Sequence, residues 1–372
     1  METISNKYSK TSSKSGDNLN KRVIVRNLLK WYKSTRRDLP WRRTKDPYKI
    51  WISEIILQQT RVSQGLPYYR KFIRRFPTVK KLAGAGEDEV LRLWQGLGYY
   101  TRARNLHRCA LTVTRELNGK FPADYSGLLT LPGIGKYTAA AIASIAYQER
   151  RAVVDGNVFR VIARLYGIKK NIAESRNRKS FEEIVNELIP GSSPGDFNQA
   201  IMELGATVCS PRDPDCPSCP LKKFCVACSE NLQKQLPVNR KNQTLKTRIF
   251  NYYIIHYRNR IFMKKRMGKD IWKGLYEFYL VEPAHPDKNA VKAGKTIKQL
   301  MNAGKADKKP VVYKSVLSHQ VIKANFLHLH LNDKDNLKKL LDEPGTGLFT
   351  RKEAELLPKP VLIDNYLKEG FF

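Results

Sequence analysis

The sequence predicts a mostly α-helical domain followed by a smaller α+β domain. Three observations support this: a long stretch with apolar residues at three- and four-residue intervals, a polar basic connector, and a switch to short β-branched and aromatic runs. From Arg22 to about Cys228 the helical spacing recurs in Val23–Tyr32, Ile50–Gln59, Glu87–Gln95 and Ala139–Tyr147. Residues 1–20 are rich in Ser, Lys and Asn with almost no apolar pattern, so a disordered basic tail is expected there and the helical domain is set at 21–230. The connector, 231–246, is polar and basic and contains Pro237. Across 247–372 the runs Phe250–Tyr257, Ile261–Lys265, Tyr276–Val281, Val311–Leu317 and Phe326–Leu331 read as strands. A helix is expected near Asp335–Leu341, and the Lys-rich segment Lys288–Lys309 reads as an exposed insertion.

A chain of 372 residues that is 41% hydrophobic can build two cores. Lys and Arg outnumber Asp and Glu by 68 to 34, and the resulting net charge of +34 predicts a polyanionic partner. Charge alone separates neither DNA from RNA or an acidic membrane surface, nor a binding face from one that serves solubility. No apolar run approaches the roughly 18 residues of a membrane span, and Met1 to Asn20 lacks the apolar centre of a signal peptide. A monomer in a bacterial-type cytoplasm, nucleoid-associated and with no membrane partner, is expected.

Six cysteines are too few for a disulfide scaffold in a chain of this length. Cys109, within the helical pattern Ala103–Leu117, reads as an ordinary buried thiol. The run Cys209-x6-Cys216-x2-Cys219-x5-Cys225 can wrap a cubane cluster without a distant partner. Cys216/Cys219 and Cys225/Cys228 also form two CxxC pairs, the donor set of a zinc site, but zinc ribbons usually separate such pairs by roughly 15 to 20 residues. The spacing favours iron–sulfur, with Cys209 a ligand and Cys228 left over.

A second motif, Leu131-Pro132-Gly133-Ile134-Gly135-Lys136-Tyr137-Thr138, lies between two helical patterns. Its glycines permit a tight hairpin whose backbone N–H groups can approach a phosphate. A plain turn between helices would use the same residues. Glu54 sits in the apolar run Ile50–Leu57, where loss of water raises a carboxyl pKa; a Glu with its head in solvent at a helix edge is the other reading. Asp155 follows Val153-Val154 and precedes the helical pattern Val158–Tyr166, the place of a helix N-cap.

Taken together these residues resemble the helix–hairpin–helix DNA glycosylase superfamily, and within it the MutY-type adenine glycosylases. The likeness is carried by Leu39-Pro40-Trp41, Trp51-Ile52-Ser53-Glu54-Ile55-Ile56-Leu57-Gln58-Gln59-Thr60, Gly96-Leu97-Gly98-Tyr99-Tyr100, the hairpin, Val154-Asp155-Gly156-Asn157-Val158 and the cysteines. It implies a mostly α helix–hairpin–helix glycosylase domain with an iron–sulfur cluster loop at 209–225, followed by a smaller α+β Nudix-like domain. It also implies one 4Fe-4S cluster on Cys209, Cys216, Cys219 and Cys225, and excision of adenine from double-stranded DNA where it faces 8-oxoguanine or guanine.

The resemblance assigns roles. Glycosidic cleavage needs an acid for the leaving base and a carboxylate for the sugar cation. The matching family residues make Glu54 the acid, on adenine N7, and Asp155 the stabiliser of the oxocarbenium ion or its covalent adduct, with Asn157 orienting the sugar. Tyr137 stands where the lyase branch has its Schiff-base lysine, implying a monofunctional enzyme. Strand cleavage through Lys136, as in an endonuclease III-like lyase on oxidised pyrimidines, is the alternative, and a catalytically silent DNA-binding module a third. Arg37, Leu39, Trp41 and Gln199 match adenine-pocket positions; Gln59, beside Thr60, and Tyr99 match residues that wedge into the duplex; Gly133, Gly135 and Lys136 match contacts to the DNA backbone. In the second domain, Trp272-x-Gly274-Leu275-Tyr276-Glu277-Phe278 and Leu317-Ser318-His319 match a lesion-reading domain. The family usually has Phe where Leu317 stands. The acidic helix of Nudix hydrolases is missing, which argues against nucleotide hydrolysis. His328 and His330 alternate on a strand and read as one face of a sheet, not as metal ligands.

Overall fold

The structure, a computed structural model, describes residues 14–240, 245–283 and 288–369. Of the expected tail, residues 1–13 lie outside this range, and a helix already runs from Lys14 to Thr35. The described residues form two compact units: 14–59 with 112–240, and 60–111 with 245–369. The division drawn from composition, at 231–246, is linear; these units interleave along the chain. Among the described residues no helix is long and apolar enough to cross a membrane.

The first unit is all α. Around the Pro194–Thr207 helix pack the helices Lys14–Thr35, Lys136–Tyr147 and Gly156–Leu165. Leu28, Tyr32, Val158, Ile162, Phe181, Phe197 and Leu204 form a common core. Close packing is made possible by small residues: Ala139, Ala140, Ala141 and Ala143 are buried on the 136–147 helix. Gly195 faces the same helix, and a Cβ there would lie 2.6 Å from the Ser144 carbonyl oxygen and 2.8 Å from Ile145 Cα.

The second unit combines the helices Val62–Arg75, Val79–Ala83 and Glu87–Trp94 with a mixed sheet. Its strands are β1 (Lys246–Tyr257), β2 (Arg260–Lys265), β3 (Tyr276–Glu277), β4 (Tyr279–Val281), β5 (Lys305–Ala306), β6 (Val311–Val316), β7 (Gln320–Leu331) and β8 (Thr346–Phe349). β1 and β7 run parallel from Lys246↔Gln320 to Tyr257↔Leu331 and make the centre. One face buries Phe250, Tyr252, Ala324 and Phe326 against the Val361–Lys368 helix. The other buries Ile255, Phe262 and Leu329 against Ile297, Leu300 and Leu340. Residues 60–111 join this unit through named contacts: Lys265 pairs with Asp88 at 2.5 Å, Arg104 donates to the Lys273 carbonyl, and Gly274 packs on Leu91. Cys109 is buried, as its helical setting suggested.

The exposed insertion expected at Lys288–Lys309 is corrected. Lys288–Ala303 is a helix, followed by β5, and Ile297 and Leu300 are buried in the sheet's second core. Its lysines conceal a short apolar stripe at 293, 297 and 300, enough to dock one face.

Gly195→Ala should lower the stability of the protein by about 1–3 kcal/mol, because the added methyl meets backbone that cannot swing aside. A urea melt with an unshifted midpoint would show that the two helices have room to spare.

Candidate active site

Glu54 lies on the Pro47–Leu57 helix, which Asp46 starts by accepting the Tyr48 N–H at 2.9 Å. Every residue from Ile50 to Ile56 is buried, and Glu54 is only 8% exposed. Burial pushes its pKa up to about 7; the neighbouring Tyr137 hydroxyl pulls it down, the Asp155 charge pushes it up and Arg42 lowers it. The two carboxyls and the phenol predicted from scattered segments therefore meet in one place.

Tyr137 opens the 136–147 helix at the end of the glycine hairpin. Gly133 has φ +78, a left-handed turn that glycine adopts without strain. Gly135 caps the helix with no side chain, and Gly133, Gly135 and Lys136 are exposed. Helix twist turns the next residue inward: Tyr137 is half-buried, with its hydroxyl 3.3 Å from the Met202 sulfur. Thr138 accepts from Gln58 at 3.3 Å, joining the hairpin to the Glu54 helix.

Asp155 is an N-cap and more. One carboxylate oxygen accepts the Val158 N–H and the other the Asn157 amide, each at 2.8 Å. Burial raises its pKa, while these donors and Arg160 oppose the rise. Arg160 in turn donates to Asn157 Oδ1 at 2.8 Å, to the Gly205 carbonyl at 2.8 Å and to the Cys209 carbonyl at 2.7 Å. One guanidinium thus ties the Asp155–Asn157 pair to the start of the cysteine loop, a link that sequence reasoning missed.

A buried acid was also missed. Glu203, 1% exposed, is gripped by Arg37 (2.8 and 2.6 Å, plus its backbone N–H at 3.0 Å) and by Arg42 at 2.7 Å. Those hydrogen bonds hold its pKa at about 2 against the desolvation that would raise it. Its only sequence signal is a Glu on the buried face of an apolar helix, four residues after Gln199. Arg37, expected in a substrate pocket, is occupied by this carboxylate. Leu39, Trp41 and Gln199 are buried, and Gln199 accepts from the Tyr32 hydroxyl at 3.1 Å.

Gln59 is exposed in a left-handed conformation (φ 56), with half-buried Thr60 after it. In the second unit Tyr99 is likewise left-handed (φ 48) and 46% exposed. Such conformations carry strain in non-glycine residues and recur at functional sites. Also in that unit, β6 and β7 are joined by a tight turn closed by Leu317 N–H to the Gln320 carbonyl at 2.8 Å. Leu317 packs on the sheet core while Ser318 and His319 are exposed.

Cys209, Cys216, Cys219, Cys225 and Cys228 line one small cavity with Arg164. Burial raises the thiol pKa of Cys219 to about 12 and those of Cys216 and Cys225 also, so thiolates there need a cation. Arg164 is 2% exposed; it donates to the carbonyls of Leu236, Ser210, Pro211 and Gln233 and to Cys209 Sγ at 3.3 Å, with no carboxylate among these partners. A buried cation against the Cys209 sulfur, in a cavity that four more cysteines line, suits an anionic metal–thiolate centre.

A family described as HhH-GPD superfamily base excision DNA repair protein matches residues 52–187. The chain is 40% identical over 261 residues to an adenine DNA glycosylase of Buchnera aphidicola subsp. Acyrthosiphon pisum, covering 70% of this chain and 75% of the relative. It is 43% identical over 219 residues to that of Homo sapiens, covering 56% of this chain and 40% of the relative. Among solved structures it is similar to a thermostable thymine-DNA glycosylase (32% identity, TM-score 0.52, 57% of this chain and 99% of the other). It also shares the fold of a protein in a non-covalent endonuclease III–DNA complex (22% identity, TM-score 0.50, 60% and 100%).

The raised pKa of Glu54 has a stability consequence of definite sign. A carboxyl whose pKa rises from 4.5 to about 7 on folding stabilises the fold while protonated, and that contribution is lost as pH rises towards 7 and beyond. Glu54→Gln, which does not titrate, should therefore gain up to about 3 kcal/mol relative to the wild type between about pH 4 and pH 8. Equal offsets between the two melting curves at both pH values would contradict it.

Proposed function

The chain belongs to the adenine DNA glycosylases of the helix–hairpin–helix base-excision superfamily, and on that premise we propose how its own residues divide the work. The enzyme hydrolyses the glycosidic bond of adenine in base excision repair. Its proposed substrate is double-stranded DNA with adenine opposite 8-oxoguanine or guanine, met by a monomer in a bacterial-type cytoplasm.

The observation that carries the mechanism is a buried carboxyl with a pKa of about 7 beside Tyr137 and a second carboxylate. Glu54 retains its proton near neutrality and passes it to adenine N7 as the bond to the sugar breaks and its electron pair leaves with the base. Asp155 stabilises the resulting sugar cation, or bonds to it until water displaces the adduct. Asn157, held between Asp155 and Arg160, keeps that carboxylate oriented. Tyr137 has no amine to form a Schiff base, so the strand stays intact and the enzyme is monofunctional.

Leu39, Trp41 and Gln199 form walls for the flipped adenine, and Arg37 acts through its grip on Glu203. Gln59, Thr60 and Tyr99 contact the opened duplex. The exposed N–H groups of Gly133 and Gly135, with Lys136, hold a phosphate. Leu317, Ser318 and His319 read the base opposite adenine; Leu317, packed on the core, positions the turn. One 4Fe-4S cluster is assigned to Cys209, Cys216, Cys219 and Cys225, where the Arg164 cation suits its negative charge. When bound, it supplies a rigid cross-link for the loop that Arg160 joins to Asn157.

Single-turnover excision from a duplex with one adenine opposite 8-oxoguanine tests the mechanism. Strand breaks should appear only after alkali, Asp155→Asn should be slower by at least about 100-fold, and the wild-type rate should fall as pH rises through about 7. Breaks without alkali, or undiminished excision by the variant, would overturn it. Iron analysis tests the cluster: Cys219→Ser should lose iron and the visible absorption, whereas iron-free wild type of native stability would refute the assignment.

A further inference from the structure

Three histidines on the C-terminal sheet are used by nothing described above. In the parallel register of β1 and β7, His256 pairs with His330 and Ile254 with His328. Side chains alternate along a strand, so His256, His328 and His330 share the face that carries Tyr252 and Phe326 further along. One ring nitrogen from each histidine lies within 4.8 Å of one from each of the other two. His256 and His328 share a hydrogen bond of 2.6 Å between Nε2 and Nδ1, and His328 Nε2 bonds the Tyr366 hydroxyl at 2.6 Å.

We propose that His256, His328 and His330 form a binding site for a divalent transition metal of the zinc class. The imidazoles stack, His256 on His328 at 4.9 Å and on His330 at 4.4 Å, where further along this face the same two strands stack an apolar pair, Tyr252 on Phe326 at 5.2 Å. A metal would take the place of the proton between His256 Nε2 and His328 Nδ1, the two nitrogens moving apart from 2.6 Å to the roughly 3.3 Å that separates two nitrogens on one tetrahedral zinc. Tyr366 holds the far nitrogen of His328 and leaves Nδ1 turned to the cluster, the outer hydrogen bond that metal-bound histidines characteristically make. His330 is exposed, which gives an ion access and leaves room for water as a further ligand. Asp307, whose charge acts on His328, offsets part of a dication's charge. Imidazole donors favour zinc, copper or nickel over magnesium or calcium. A bound metal would pin the ends of β1 and β7 together, with Tyr366 reaching them from the last helix.

The test is equilibrium dialysis of tag-free, cluster-loaded full-length protein against zinc, followed by metal analysis. The wild type should take up about one zinc per chain with its iron and visible absorption unchanged. His330→Ala, an exposed position that folding tolerates, should bind at least about 10-fold more weakly, and Tyr366→Phe by a similar factor if Tyr366 positions His328. No uptake by the wild type, or uptake by His330→Ala and His256→Ala as tight as that of the wild type, would overturn the site.

Discussion

A carboxyl group that keeps its proton at neutral pH must be kept from water, and in this protein that exclusion depends on how closely a few helices approach. The Pro194–Thr207 helix packs against both the 136–147 helix that begins with Lys136 and Tyr137 and the 156–165 helix capped by Asp155. Gly195 and the alanines opposite allow near backbone contact. Glu54, on the Pro47–Leu57 helix that packs against the same 136–147 helix, is buried, and its raised pKa follows from burial more than from any single partner.

Charge is managed differently at each buried ionic group, although bases outnumber acids two to one overall. Glu203 is fully compensated by Arg37 and Arg42 and stays ionised. Asp155 is partly compensated, by an N-cap amide, Asn157 and Arg160. Glu54 is the least compensated and is the one that holds a proton. Burial raises both carboxyls, and the donors around Asp155 oppose a rise that Glu54 meets with fewer partners. Arg164 is the inverse case, a buried cation facing the Cys209 sulfur.

The second unit rests on two long parallel strands. Aromatic rings of β1, β7 and the last helix stack on one face, Phe326 on Tyr366 at 4.1 Å, and this rigid platform carries the turn that exposes Ser318 and His319. The same platform ends in the histidine trio, so a metal there would brace the strand from which the turn projects.

The amino-acid sequence alone determined the helical and mixed classes, the cysteine spacing and the glycine hairpin, because each is written in a short string or a local periodicity, whereas Glu54, Asp155 and Tyr137 were singled out through the family resemblance. It did not reveal the helix at Lys288–Ala303, whose apolar stripe is masked by lysines, or the interleaved units, in which residues 60–111 group with the C-terminal sheet. Tertiary structure decided the Glu203 clamp, the Arg160 bridge and the histidine trio. Their members lie far apart in sequence: 166 positions from Arg37 to Glu203, 49 from Arg160 to Cys209 and 72 from His256 to His328. Such pairings arise when helices pack and strands take register, and no local pattern encodes which buried charge or imidazole will meet which.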